Sequence, residues 1–119
     1  MLRDATGFRK IMIVTGYTDL RCGMDSLASI VYESFGQTPF EPDVLFLFCG
    51  RRADRIKGLV WEGDGFLLLS KRLSSGSFQW PRSAYEVLNL TPQQYRWLME
   101  GLSINQKNAI PQVYPRKIA

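Results

Sequence analysis

The sequence predicts a small α+β domain: a mainly antiparallel sheet with a central β-hairpin, flanked by two helices. Three observations predict it. The continuous apolar run VLFLFC at 44–49 reads as a central strand covered on both faces. The segments 55–62 and 65–72 read as two strands joined at EGDG, a strong hairpin signal. These sheet segments lie together, with one helical pattern before them and one after. A chain of 119 residues has the size of one domain with one modest core. The core is expected over about 10–102, with 1–8 and 103–119 as flexible ends.

Each element has a local reason. KIMIVTG (10–16) is a short β-branched strand that stops at Gly16, and YTDLRCG (17–23) is a polar turn leading into a helix. From Met24, the residues Met24, Leu27, Ala28, Val31 and Phe35 follow the spacing of an amphipathic helix. Asp25 complements its positive end, and Gly36 is a C-terminal stop. Pro39 and Pro42 keep the next stretch extended. GSFQWP (76–81) reads as a short edge strand closed by Pro81. In LTPQQYRWLMEG (90–101), Thr91 is the N-cap, Pro92 opens the first turn and Gln94 completes a capping box. Tyr95, Leu98, Met99 and Leu102 form the expected buried stripe.

Composition excludes more than it selects. The net charge of +4 is only mildly basic and sets a weak prior for an acidic partner. Cys22 and Cys49 suit a reduced compartment better than a disulfide framework, and Cys49 reads as a buried, inert thiol. With no histidine and no paired Cys motif, no metal site or cofactor is expected, and the usual general base is missing. Neither a signal peptide nor an apolar run of roughly 18 residues for a membrane helix is present, so a cytoplasmic protein without membrane contact is expected.

The charge has a pattern. Residues 50–73, GRRADRIKGLVWEGDGFLLLSKRL, hold Arg51, Arg52, Arg55, Lys57, Lys71 and Arg72 around an apolar centre. Strand residues alternate between faces, so Arg55, Lys57, Leu59 and Trp61 share a face with Phe66, Leu68, Ser70 and Arg72. The opposite face, with Ile56, Gly58, Val60, Leu67, Leu69 and Lys71, is more uniformly apolar and is expected to meet the core and the helices. Like charges across a strand pair destabilise it, so stability alone does not account for the cluster. Phosphate contact beside aromatic stacking would, and a solvated face balanced by Asp54 and Glu62 is the competing reading.

The blocks YTDLRCGMDSLASIV, FLFCGRRADRIKGLVWEGDGFLLLSKRL, GSFQWP and LTPQQYRWLMEGL resemble the TnpB-type accessory protein of insertion-sequence-66 transposable elements. The blocks run in order from about residue 10 to 102. The resemblance implies a bacterial mobile-element protein encoded beside a larger transposase that carries the acidic catalytic residues. It brings no catalytic residues to carry over. Its shared positions include Asp19, Arg21, Trp61, Asp64, Phe66 and Trp80, which become candidates for partner binding. Cys22, Cys49 and LSSGSF depart from the pattern by stripping charge from the motif edges.

Asp19, Asp54 and Asp64 are candidates for two-metal phosphoryl transfer by residue type only, and each has a simpler explanation. Asp64 belongs to the turn, Asp54 neutralises nearby arginines, and Asp19 fits a turn or helix start. The expected function is therefore a non-catalytic accessory role in DNA transposition. Its expected partners are element-end DNA, the transposase and the element's other accessory proteins. The alternative is a module that docks on the transposase without touching DNA.

Overall fold

The computed structural model describes residues 2–108 and 110. Its strands are β1 (Lys10–Val14), β2 (Val44–Cys49), β3 (Arg55–Trp61), β4 (Phe66–Arg72) and β5 (Val87–Leu90). They form one sheet in the order β4-β3-β2-β1-β5. Three of the four pairings are antiparallel, as predicted, while β1 and β2 run parallel with Lys10 opposite Val44 and Ile13 opposite Leu47. Parallel neighbours need a crossover connection. Here α1 (Met24–Ser29), continued by a wider π-type turn over Ile30–Ser34, supplies it.

The fully buried β2 sorts the core into two halves. Leu45, Leu47 and Cys49 face one side, with Ile56, Val60, Phe78, Trp80, Tyr95 and Leu98. Phe46 and Phe48 face the other, with Leu27, Ala28, Val31 and Leu59. Burying each large apolar side chain contributes roughly 1.5–3 kcal/mol relative to exposure, so both faces need cover. The two helices therefore lie on opposite faces. This corrects the expectation that the Ile56–Lys71 face alone meets the core and helices: Leu59, Phe66 and Leu68 on the other face pack with α1.

The helix ends follow the predicted local chemistry. At the end of the α1 segment, Gly36 N–H donates to Tyr32 O at 3.0 Å and Gln37 N–H to Val31 O at 3.1 Å. With Gly36 at φ +65°, the first of these is the 5→1 bond of an αL glycine stop. Helix α2 (Pro92–Met99) opens on the complete capping box of Thr91 and Gln94. Two stripes are narrower than predicted, because Met24 and Leu102 are exposed.

GSFQWP is not an edge strand. Residues 73–86 cross one face of the sheet, sending Phe78 and Trp80 into the core, and β5 takes the edge beside β1. Their two-residue spacing looked like a strand because both side chains point to one side. The expected flexible ends contribute Leu2, Ala5, Phe8 and Ile104 to the same core, and the Tyr95 hydroxyl donates to Leu2 O. The remainder of the expected arm, 109 and 111–119, lies outside the described residues.

Candidate nucleic-acid interface

The parallel β1–β2 pair decides where the site forms. Both strands exit at the same end of the sheet, where β3 begins and β4 finishes. That end gathers the loop after β1, the turn after β2, and the charged ends of the hairpin strands. A cavity of about 650 Å³ opens there, lined by Tyr17, Thr18, Asp19 and Arg21 on one wall. Its other wall holds Arg51, Arg52, Arg55 and Lys57. Six of the sequence-predicted site residues thus meet: Asp19, Arg21, Arg51, Arg52, Arg55 and Lys57.

Their electrostatics are unequal. Asp19 accepts from the Arg21 backbone N–H at 3.0 Å, and from Arg21 Nε at 3.0 Å and Nη2 at 2.8 Å. The Arg21 side chain, then its backbone N–H, holds the Asp19 carboxyl down to about 2. Asp54 lies below the usual carboxylate range because Arg55 Nε donates to it at 3.1 Å. Lys57 Nζ donates to Cys22 O at 3.3 Å. Arg51 and Arg52 are exposed and have no ion pair among the described residues. Five cations thus face Asp19 and the adjoining Asp54, a surplus of three from a chain whose net charge is +4. The chain's positive excess is concentrated in one concavity.

The other candidates fall elsewhere. Arg72 stands directly across the ladder from Arg55, exposed at the cavity's edge. Lys71 pairs with Ile56 and points to the opposite face. Trp61, Phe66 and Phe40 form a ring cluster, with centroids 5.0–5.5 Å apart, at the turn end of the hairpin. Six residues along a strand place this cluster about 20 Å from Arg55, so aromatics and cations do not share one surface. Asp64 is exposed in that turn. Trp80 is 5% exposed and donates its indole N–H to Val14 O at 3.0 Å, an anchoring role inside the core.

Two residues escaped the sequence reading as site members. Tyr17 is 59% exposed on the cavity wall. Arg82 lays its guanidinium 4.3 Å from the Tyr17 ring centroid. It also donates to Gly16 O at 2.5 Å and Gly50 O at 2.6 Å, tying the two walls together. Neither contact has a local signature, since Arg82 is distant in sequence from both carbonyls. Burial pushes the Cys49 thiol up, and it sits against Arg55 O and Arg82.

The three aspartates weighed for catalysis do not converge: Asp19 and Asp54 are each held by an arginine, and Asp64 lies at the hairpin tip. Among the described residues, no three His, Cys, Asp or Glu side chains form a metal-holding group. Nor is any helix among them long and apolar enough to cross a membrane.

The family described as IS66 Orf2 like protein matches residues 9–109. An uncharacterized Sinorhizobium fredii protein, y4jC, is 32% identical over 119 residues, covering all of both chains. A second uncharacterized protein of that organism, y4hO, is 37% identical over 93 residues, covering 78% of this chain and 80% of its own. No solved structure matches the chain. The matched span takes in both walls of the cavity, the hairpin and α2, and the chain belongs to the IS66 Orf2-like family, the accessory proteins of IS66 transposable elements.

Proposed function

We propose that the chain is a non-catalytic factor in IS66-type transposition that grips DNA backbone phosphate and helps assemble the transposase–DNA complex. The observation that carries this reading is the surplus of three positive charges in one concave site, with Arg51 and Arg52 in no ion pair among the described residues. Arg55, Lys57 and the neighbouring Arg72 extend the same charged end. Phosphate contacts fix register without reading sequence, so binding is weak and largely sequence-independent.

Four contacts on duplex DNA give a log–log salt slope of about −3.6, or about 150-fold weaker binding from roughly 50 to 200 mM salt. Arg52→Ala flattens that slope by about one unit while leaving the melting temperature in place, since an exposed charge adds little stability. Salt-independent DNA binding, or an unchanged slope in an Arg52→Ala, Arg55→Ala double variant, refutes the reading.

One observation favours a second reading, in which the chain docks on the transposase without touching DNA. Phe40, 55% exposed, completes an aromatic cluster with Trp61 and Phe66 at the end remote from the cations. In that reading Phe40→Ala abolishes transposase binding, and DNA affinity is negligible at low salt.

A further inference from the structure

The cavity has features that a grip on duplex backbone does not require. It is concave and of the volume that encloses a small ligand, whereas a duplex presents its phosphates along a convex ridge. Tyr17 and Arg51 also line a second hollow of about 460 Å³. Arg82 covers part of the Tyr17 ring yet lines neither hollow, so it braces the ring from outside. Arg51 has no partner among the described residues. An exposed, braced aromatic and an unengaged guanidinium that border the same two hollows suit the two faces of an unstacked base. Beside them, Thr18 is 6% exposed, and its hydroxyl has no hydrogen-bond partner among the described residues.

We infer that the cavity takes an unpaired nucleotide of single-stranded DNA, its base between Tyr17 and Arg51 and its phosphate among Arg52, Arg55 and Lys57. The inference rests on the DNA-binding reading and narrows it from any duplex to an unpaired segment. A base inside a duplex is stacked on both sides and cannot enter such a gap without being extruded.

The test compares a fluorescent oligothymidylate about ten nucleotides long with a duplex of equal length, each across a salt series. The single strand should bind at least about 10-fold more tightly, with a slope near −0.7 per phosphate contact. Tyr17→Ala should weaken single-strand binding by about 5- to 100-fold, the range for loss of one stacking partner. Tyr17→Trp should restore binding of the strand. Arg51→Gln, at an exposed position, should weaken the strand likewise with an unaltered melting temperature. A 2-aminopurine placed in the strand should be quenched on binding, which reads stacking without any variant. Duplex binding as tight as single-strand binding, or unaltered single-strand affinity in Tyr17→Ala, overturns the inference while leaving the phosphate grip standing. Absence of binding by either DNA at low salt overturns both.

Discussion

The hairpin that carries Arg55, Lys57 and Arg72 turns on two glycines with different duties, and single substitutions can separate them. Trp61 pairs with Phe66, and Glu62 N–H donates to Gly65 O at 2.8 Å, which leaves Gly63-Asp64 as a two-residue loop. Gly63 holds φ +92°, whereas Gly65 is not among the residues with positive φ. That pattern, positive φ at the first central position only, is the type II′ turn that matches strand twist. A Cβ at either glycine meets nothing within 4 Å, so steric crowding drops out of the comparison. Gly63→Ala then costs about 1–2 kcal/mol of left-handed backbone strain. Reduced freedom of the unfolded chain offsets about 0.4–1 kcal/mol of it. Gly65→Ala carries only that gain. The two variants should differ by about 1–2 kcal/mol, near 4–10 °C in melting temperature for a chain of this size. Parallel thermal and urea unfolding of the two proteins, with coincident probes to establish two-state behaviour, measures the gap. Equal midpoints, or a lower one for Gly65→Ala, refute the turn assignment and the register that places Arg55 opposite Arg72.

Three further outcomes follow from the same geometry. Trp80→Phe should destabilise by about 1–3 kcal/mol, because it leaves Val14 O without its indole donor inside the core. Intact stability with lost partner binding would instead make Trp80 an interface residue. DNA affinity should be flat from about pH 5 to pH 8, because the chain lacks histidine and Asp19 stays ionised above about 2. The depressed carboxyls of Asp19 and Asp54 make their ion-pair contributions above the ordinary carboxylate range, and these fade as pH falls through the lowered values. A binding transition near neutral pH contradicts this. Purified protein should neither nick nor join DNA with Mg²⁺ or Mn²⁺; metal-dependent nicking that disappears in Asp19→Asn or Asp54→Asn would show that the carboxylates do act together.

What was legible in the sequence was whatever short-range chemistry decides. The facing parity of the hairpin, with Arg55 beside Arg72 and Lys57 beside Ser70, follows from a two-residue loop and strand alternation alone. The Thr91–Gln94 capping box and the Gly36 stop are equally local. The cluster of cations was legible because it lies in one run of sequence. Its concavity was not, since the opposing wall comes from residues 17–21, brought alongside by the parallel β1–β2 pairing. No residue pattern in KIMIV distinguishes a parallel neighbour from an antiparallel one. Strand β5 was hidden because VLNL is four residues long and runs directly into a helix cap. The division of that face was equally legible: Trp61 and Phe66 flank the turn, and Arg55, Lys57 and Arg72 gather at the other end.

Arg82 has a consequence for kinetics. One guanidinium donates to Gly16 O, just past β1, and Gly50 O, just past β2, so the walls are fastened before anything enters between them. An anion arriving there meets a finished surface, with no loop to order and no closing step to wait for. Its on-rate is then governed by diffusion and the field of the cations, falling as salt rises, while residence time reports the contacts themselves. Loosening that fastening by Arg82→Ala would transfer the burden from dissociation to association, making capture slow and concentration-independent at saturation, the mark of a gate that the native molecule does without.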